Sequence, residues 1–351
     1  MPNFMKITPD KHSMSGVPAV APMTRRAGSA GLLALAFLAG AVALGPATAF
    51  AQAKFPTKPI RIIVPYGPGG VGDLTMRLLG QQWSKMSGQP VVIENKPGAG
   101  GRRAMKIVLD AAPDGHTLGV AGNGQSISAS LYKKPAYDLM KDFSPVSVVA
   151  TFDMHLTVKG DSKLKTMKDI VEAARKSPGK LNFGTVLPGS TQNLSAHVLR
   201  LQEKLDVTII TYKTTPDLIT AILRGDVDVG FDFYAALAGV IQDKKVRIVA
   251  TAGKKRTAHL PDVPTAIEAG FPYYVMQSWN GLVSKAGLSK DVAELASSQI
   301  KKALASPEVM GKAKKLGLGL EPSTPAEMTE RFKESIARWK DVIEKAGIPK
   351  R

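Results

Sequence analysis

Short runs of β-branched residues, glycine-rich turns and helical segments follow one another repeatedly along this chain. Residues 60–64 (IRIIV) form one such run, and residues 69–73 (GGVGD) then open a helical segment. The same order returns with residues 91–93, a turn at 97–101 and a helical segment at 104–109. Strands that alternate with helices favour a sheet with parallel strands and helices on its faces. The pattern therefore predicts an α/β protein.

The rest of the chain continues this pattern and ends in helices. Five further strands are predicted at 117–121, 181–184, 207–211, 227–231 and 246–250. Two C-terminal helices are predicted to start at Ser289 and at Thr324. The 351 residues exceed one ordinary domain and suit two lobes of roughly 100 to 200 residues each.

The charge balance is strongly basic but evenly spread. Lys and Arg number 47 against 29 Asp and Glu, which gives a net charge of +18. The basic residues occur in short clusters, and no recognition motif for nucleic acid accompanies them. We therefore expect a solvated basic surface and no nucleic-acid partner. The absence of Cys excludes disulfides and thiolate chemistry.

The N-terminal segment has the order of a secretory signal peptide. Arg25 and Arg26 precede an apolar run at 32–44, after which small residues provide cleavage sites at Ala51 and Ala53. The run is shorter than the roughly 20 residues of a membrane-spanning helix. We predict that residues 1–53 are removed and that the mature protein is periplasmic.

Three points about this segment stay open. An uncleaved N-terminal anchor is the alternative to cleavage. Met23 is a better initiator than Met1, because residues 1–22 match no part of a signal. The twin-arginine fragment at 24–26 leaves both export routes, Sec and Tat, possible.

Several sequence blocks in the mature chain carry a family resemblance through their joint order and spacing. They are KPIR (58–61), VPY (64–66), GGVGD (69–73), ENKPGAGG (94–101), APDG (112–115), LYKK (131–134), PGKL (178–181), GDVD (225–228) and LPDVPT (260–265). From residue 55 to 349 the sequence resembles the substrate-binding proteins of tripartite tricarboxylate transporters, also known as Bug receptors.

The resemblance implies a type II periplasmic-binding-protein fold, in which two α/β lobes with parallel-dominated sheets are joined by a two-strand hinge. Lobe one would comprise residues 54–151 and 277–351, and lobe two residues 152–276. The implied function is capture of a small organic carboxylate between the lobes, as a monomer, for delivery to the permease subunits of the transporter. A ligand sensor that docks on a membrane histidine kinase is the alternative. No cofactor and no metal are expected.

Two glycine-rich turns at helix starts, residues 66–73 and 184–191, are suited to binding an anion. Backbone N–H groups at a helix N-terminus are unpaired and carry partial positive charge. Asp73 and Asp232 have an alternative role in capping helices and bracing loops. With the family resemblance, the predicted ligand-binding residues are Tyr66, Gly67, Gly69, Gly70, Val71, Asp73, Asn123, Gly124, Gln125, Thr185, Gly189, Ser190, Thr191, Tyr212, Lys213, Thr214, Asp232 and Phe233.

The predicted site departs from the family pattern in ways that bear on the ligand. Val186, Leu187 and Pro188 make the lobe-two turn bulkier than is usual, and Thr214 and Thr215 replace a common glycine. The bulkier, more apolar wall disfavours a very hydrophilic ligand such as citrate, and a monocarboxylate, an aromatic acid or a slim dicarboxylate fits as well.

Catalytic readings find little support in the sequence. The mature chain has His116, His155, His197 and His259 but no GxSxG motif, and no histidine spacing typical of a metal site. A dinucleotide fold would need an acidic residue after the glycine-rich turn, where Glu94 is the sole candidate. A porphobilinogen-deaminase-like enzyme would need a Cys. We therefore predict a binding protein and not an enzyme.

Overall fold

The computed structural model describes residues 54–350. Their strands are β1 (Ile60–Val64), β2 (Val91–Asn95), β3 (Thr117–Gly122), β4 (Phe143–Lys159), β5 (Asn182–Val186), β6 (Thr208–Tyr212), β7 (Val229–Phe233), β8 (Val246–Thr251), β9 (Gln277–Lys285) and β10 (Gly319–Leu320). The α-helices are α1 (Val71–Ser87), α2 (Arg102–Leu109), α3 (Asn123–Leu131), α4 (Met167–Lys176), α5 (Thr191–Gln202), α6 (Thr215–Arg224), α7 (Tyr234–Gln242), α8 (Lys290–Leu304), α9 (Pro307–Lys315) and α10 (Pro325–Lys345).

The strands pair in the order β2-β1-β3-β9-β4-β7-β5-β6, and β8 and β10 also pair with β4. Parallel pairing joins β1 to β2 and β3, and β5 to β6 and β7. Every pairing that involves β4 or β9 is antiparallel. The parallel strands therefore lie on either side of a central antiparallel region. The predicted α/β fold is confirmed.

Strand β4 is the long element that links the two halves of the sheet. Its residues from Phe143 to Asp153 pair with β9, whereas those from Met154 to Lys159 pair with β7 and β8. We call the part that contains β1–β3, β9 and β10 lobe one, and the part that contains β5–β8 lobe two. The exact lobe boundaries at 151/152 and 276/277 stay predictions, which the change of partners along β4 supports.

A second connection runs beside β4 between the lobes. The Met154 N–H donates to the Met276 carbonyl at 2.9 Å, and the Met276 N–H donates to the Ala252 carbonyl at 2.8 Å. The chain then enters β9 at Gln277 and remains in lobe one. Two adjacent backbone segments therefore form the hinge.

Side-chain caps fix where many of the helices begin. The hydroxyls of Ser190, Thr214, Ser289 and Thr324 each accept a hydrogen bond from the N–H three residues later. Such caps satisfy one of the unpaired donors of a helix N-terminus. The two C-terminal helices therefore start where the sequence predicts, at Ser289 and Thr324.

The predicted strands and helices lie within a few residues of those in the structure. Strand β7 starts two residues after the predicted 227, and helix α2 starts two residues before the predicted 104. The predicted signal peptide lies outside the described residues. Within residues 54–350, no helix combines the length and apolarity that crossing a bilayer requires.

Candidate ligand-binding site

A cavity of about 50 Å³ lies between the lobes beside the hinge. Both lobes and both crossing strands contribute to its wall. The lining residues are Tyr66, Gly67, Gly70, Val71, Gly72, Gly124, Phe152, Val186, Leu187, Ser190, Thr191, Gln192, Lys213, Thr214, Thr215, Phe233, Ser278 and Asn280.

Five of the helices described above begin at the wall of this cavity. In lobe one, the first two residues of α1 and the second residue of α3 line the cavity. In lobe two, the N-cap and the first residues of α5 and α6 line it, and so does Phe233, the N-cap of α7. In helices α1, α3 and α7 no N-cap side chain accepts a hydrogen bond from an N–H group of the first turn. Helix N-termini carry partial positive charge and donate N–H groups. The cavity therefore favours an anion that accepts hydrogen bonds.

Asn280 adds a side-chain donor to this wall. It lies on β9, its side chain is buried, and its Nδ2 has no hydrogen-bond partner among the described residues. A buried amide without a partner is costly, so a partner is expected to come from the cavity itself. The adjacent Ser278 hydroxyl lies 3.2 Å from the Thr191 hydroxyl, which links the hinge strand to helix α5.

Asp232 lies directly behind the cavity in lobe two. It is fully buried, and its two oxygens accept hydrogen bonds from Gln192 Nε2 (3.1 Å), the Phe233 N–H (2.8 Å) and the Thr215 hydroxyl (2.7 Å). Burial raises the pKa of the Asp232 carboxyl to about 6, against the opposing effect of these three donors. All three donor residues line the cavity, so Asp232 orients the wall without being part of it.

Asp73 plays a corresponding part in lobe one. It accepts hydrogen bonds from the Gly69 N–H, from Arg77 Nε and from Asn95 Nδ2 at 3.0, 3.0 and 2.9 Å. Burial alone would raise the pKa of Asp73, but Arg77 and the other two donors outweigh burial and lower it. Asp73 therefore braces the turn between β1 and α1.

Tyr66 extends the lobe-one wall between this turn and α3. Its hydroxyl is hydrogen-bonded with Gln125, and burial raises its pKa to about 12. Gln125 in turn accepts a hydrogen bond from the Gly122 N–H at 2.9 Å, and Asn123 donates to the Gln277 carbonyl at 2.8 Å. Gln125 and Asn123 thus support the wall from behind.

The lobe-two turn is braced in a similar way. Asn193 accepts a hydrogen bond from the Gly189 N–H at 3.1 Å and donates to Thr185 and Thr211. Tyr212 lies at the end of β6 and packs against an apolar cluster around Val186. Thr185, Gly189 and Tyr212 therefore shape the turn but lie outside the cavity lining.

The structure brings ten of the predicted residues to the cavity wall: Tyr66, Gly67, Gly70, Val71, Gly124, Ser190, Thr191, Lys213, Thr214 and Phe233. The other eight lie outside it: Gly69, Asp73, Asn123, Gln125, Thr185, Gly189, Tyr212 and Asp232. The role of each of them in ligand binding stays a prediction.

Eight lining residues are absent from the named ligand-binding residues of the sequence analysis, although Gly72, Val186, Leu187 and Thr215 lie in the segments that it assigns to the site: Gly72, Phe152, Val186, Leu187, Gln192, Thr215, Ser278 and Asn280. Five of these eight residues lie within or beside the glycine-rich and threonine-rich turns, so the turn motifs in the sequence could have identified them. Phe152, Ser278 and Asn280 lie on the crossing strands β4 and β9, where no turn motif marks them.

The remaining lining is short of charge and rich in apolar side chains. Lys213 is the one cationic side chain among the lining residues of the described chain, and it is exposed. Val71, Val186 and Leu187 supply aliphatic surface, and the rings of Phe152 and Phe233 pack edge to face at 4.7 Å. The cavity therefore combines backbone and amide donors with a hydrocarbon wall.

The positions of the acidic and histidine side chains show whether the described part of the chain could bind a metal ion. Within residues 54–350, no three His, Cys, Asp or Glu side chains come together in a group that could hold a metal ion.

Comparison with known proteins identifies the family. The sequence profile of the tripartite tricarboxylate transporter family receptor matches residues 75–348. A protein encoded in the tcbD-tcbE intergenic region of Pseudomonas sp. strain P51 is 31% identical over 87% of this chain and 92% of its own length.

Three solved structures have the same overall fold. An R. palustris protein solved with adipate is 28% identical and superposes with a TM-score of 0.81, covering 84% of this chain and 99% of that one. The periplasmic binding protein BugD is 28% identical with a TM-score of 0.81 over 85% and 100% of the two chains. MatC from Rhodopseudomonas palustris with bound malate is 30% identical with a TM-score of 0.78 over 82% and 100%.

These relatives agree with the resemblance read from the sequence blocks. Both the family and the fold are those of solute-binding proteins, which are not enzymes. The chain belongs to the tripartite tricarboxylate transporter receptor family, the Bug-type periplasmic binding proteins.

Proposed function

We propose that this protein captures a small organic carboxylate between its two lobes and delivers it to the permease subunits of a tripartite transporter. One observation carries the proposal. The buried Asn280 amide has no partner among the described residues, and it lies in a cavity where five helix N-termini meet. These groups are all hydrogen-bond donors, and a carboxylate is a small anion that accepts several hydrogen bonds at once.

The relatives support the same ligand class. Adipate and malate are both dicarboxylates, and they are bound by proteins that share this fold and about 30% of this sequence. The aliphatic and aromatic side chains of the lining can pack against a ligand with a hydrocarbon body. The proposed ligand is therefore a monocarboxylate or a dicarboxylate, and an aromatic acid is included.

The negative charge of the ligand is held by backbone dipoles and Asn280 in this proposal, and not by an ion pair. Lys213 is exposed, so solvent screens its interaction with a bound carboxylate. The helix N-termini are partly buried, where electrostatic interactions are stronger. Removing the lysine charge should therefore matter less than removing the amide.

Calorimetric titration with adipate, malate and succinate tests the proposal. We expect at least one of them to bind, Asn280→Leu to weaken that binding at least tenfold, about 1.4 kcal/mol, and Lys213→Met to weaken it less than about threefold. The monocarboxamide of the same acid should bind at least tenfold more weakly, because its NH₂ group faces donors.

Ser284→Ala is the matched control for the amide variant. Ser284 also lies on β9 and is buried, and its hydroxyl has no hydrogen-bond partner in residues 54–350, but it does not line the cavity. Removal of the Ser284 hydroxyl should leave the affinity for the carboxylate unchanged. Loss of binding in Lys213→Met with full binding in Asn280→Leu would contradict the proposal and assign recognition to an ion pair.

The proposal places the mature protein in the periplasm as a monomer. The leader should be absent from the exported protein: we expect cleavage after Ala51 or Ala53, which puts the N-terminus at Gln52 or Lys54. Retention of Arg25 in periplasmic material, read by N-terminal sequencing, would contradict this.

A further inference from the structure

Leu187 has a backbone conformation that leucine rarely adopts. Its φ is +48°, and Lys204 and Lys244 are the other non-glycine residues with positive φ in the described chain. The β-carbon makes this left-handed region unfavourable for all residues except glycine and, to a lesser degree, Asn and Asp. Strain of this kind persists where the surroundings enforce it, and it is concentrated at functional sites.

Two backbone hydrogen bonds enforce this conformation. The Leu187 N–H donates to the Tyr212 carbonyl at 3.0 Å, and the Leu187 carbonyl accepts from the Ser190 N–H at 3.1 Å. Ser190 is the N-cap of α5, whose first residues line the cavity. The left-handed residue therefore forms the turn that aims the α5 N-terminus at the cavity, and a glycine would form the same turn without strain.

The side chain gives a reason for leucine at this position. Leu187 lines the cavity and is only half-buried, so burial in the core of lobe two does not account for it. Together with Val186 and the Phe152–Phe233 pair, it completes the hydrocarbon part of the wall. None of these side chains can donate to or accept from a hydroxyl group.

We propose that Leu187 is a specificity-determining residue, which selects carboxylates with a hydrocarbon body over those whose body carries hydroxyl groups. This inference rests on the proposed carboxylate-binding function. A ligand hydroxyl that packs against Leu187 loses its hydrogen bonds to water and gains none in return. A hydrophobic pocket rejects an added hydroxyl by roughly tenfold to a hundredfold.

Ligand pairs that differ only in hydroxyl groups provide the test. Succinate and tartrate share a four-carbon chain, and adipate and galactarate share a six-carbon chain, so each pair keeps length and carboxylates constant. Calorimetric titration should show that the wild-type protein prefers the unhydroxylated member of the tighter-binding pair at least tenfold. Leu187→Asn should reduce that preference at least fivefold, because Asn has the same branch at Cγ, tolerates the left-handed region and offers hydrogen-bonding groups.

Lys204→Asn is the matched control. It relieves a positive φ of the same kind, +52° at Lys204, on a residue that does not line the cavity. Thermal denaturation should show a similar rise in melting temperature for both variants, whereas the ligand preference should change only for Leu187→Asn. If Leu187→Asn does not fold, Leu187→Gly provides the same relief of strain and should also reduce the preference.

The outcomes separate this inference from the proposed function. If the wild-type protein binds none of these carboxylates, both are overturned. If it binds them but shows no preference within a pair, or if Leu187→Asn and Leu187→Gly both retain the full preference, the role of Leu187 is overturned while carboxylate binding stands.

Discussion

At the scale of single residues, the two buried aspartates behind the cavity, Asp73 and Asp232, have pKa values that are shifted in opposite directions. Asp73 has the Arg77 guanidinium beside it, and its pKa is lowered. Asp232 has only neutral donors around it, and burial raises its pKa from 3.8 to about 6. The two carboxylates therefore affect the pH dependence of stability with opposite signs.

We predict that Asp232→Asn stabilises the protein at pH 7.5 by about 1–3 kcal/mol, from the pKa shift. Because the folded-state pKa of Asp232 is the higher one, its favourable contribution is complete below about pH 4 and is lost as the pH rises through 6. An asparagine can keep all three contacts, since its oxygen can accept from Gln192 and Phe233 and its NH₂ group can donate to the Thr215 hydroxyl.

Urea unfolding between pH 4 and 8 measures this effect as the difference between variant and wild type. Asp73→Asn should show the reverse trend in a second series that extends down to about pH 2, because the stability that Asp73 contributes is present above its unfolded pKa and is lost as the pH falls through its lower folded pKa. An Asp232→Asn protein whose stability relative to wild type does not change with pH would show that the Asp232 carboxyl titrates normally.

At the scale of elements, the turn between β1 and α1 uses its glycines for different purposes. Gly69 has a positive φ of +81°, which a glycine adopts freely. At Gly67 the constraint is space: a β-carbon placed there would lie 2.5 Å from Thr214 Cγ2, across the cleft in lobe two. Gly70 has an extended φ of −79° and 3.6 Å to its nearest neighbour, so a side chain is tolerated there.

We predict that Gly67→Ala weakens carboxylate binding at least tenfold, about 1.4 kcal/mol, because the added methyl keeps the lobes from meeting. Thr214→Ser removes the Cγ2 methyl but keeps the hydroxyl that caps α6, so the double variant Gly67→Ala/Thr214→Ser should recover most of the affinity. Gly239→Ala is the control, because Gly239 lies on α7 outside the cavity lining and a β-carbon there meets nothing within 4 Å, so this variant should bind as wild type does. Calorimetry that finds no rescue in the double variant would place the effect of Gly67 within lobe one.

The elements with strong local signals could be predicted from the sequence. The runs around β1 and β5 and the turns that follow them combine β-branched residues, glycines and helix starts. Strand β4 could not be predicted at its full length, because its two halves pair with different lobes and no local signal marks such a change. Phe152 and Asn280 were missed for the same reason: their place at the cavity depends on how the crossing strands bring distant segments together.

At the scale of the whole molecule, the lobes meet at the mouth of the cleft as well as at the hinge. Gly69 lies beside Pro216, and Gly189 lies beside Leu131 and Tyr132. These contacts join lobe one to lobe two. A hinge of two adjacent backbone segments allows such lobes to separate without unfolding. Ligand binding and lobe closure are therefore expected to be coupled.

We predict that the protein without ligand is more open and that a bound carboxylate compacts it. Small-angle X-ray scattering should give a larger radius of gyration for the ligand-free protein than with saturating adipate or malate, and a mass of one chain in both cases. The physical reason is that donors from both lobes reach the same small anion only when the lobes meet. Gly67→Ala should remain extended at saturation, whereas Gly239→Ala should compact as wild type does. An unchanged radius in the wild-type protein at saturation, with binding verified by calorimetry in the same buffer, would show that the ligand enters a cleft that is already closed.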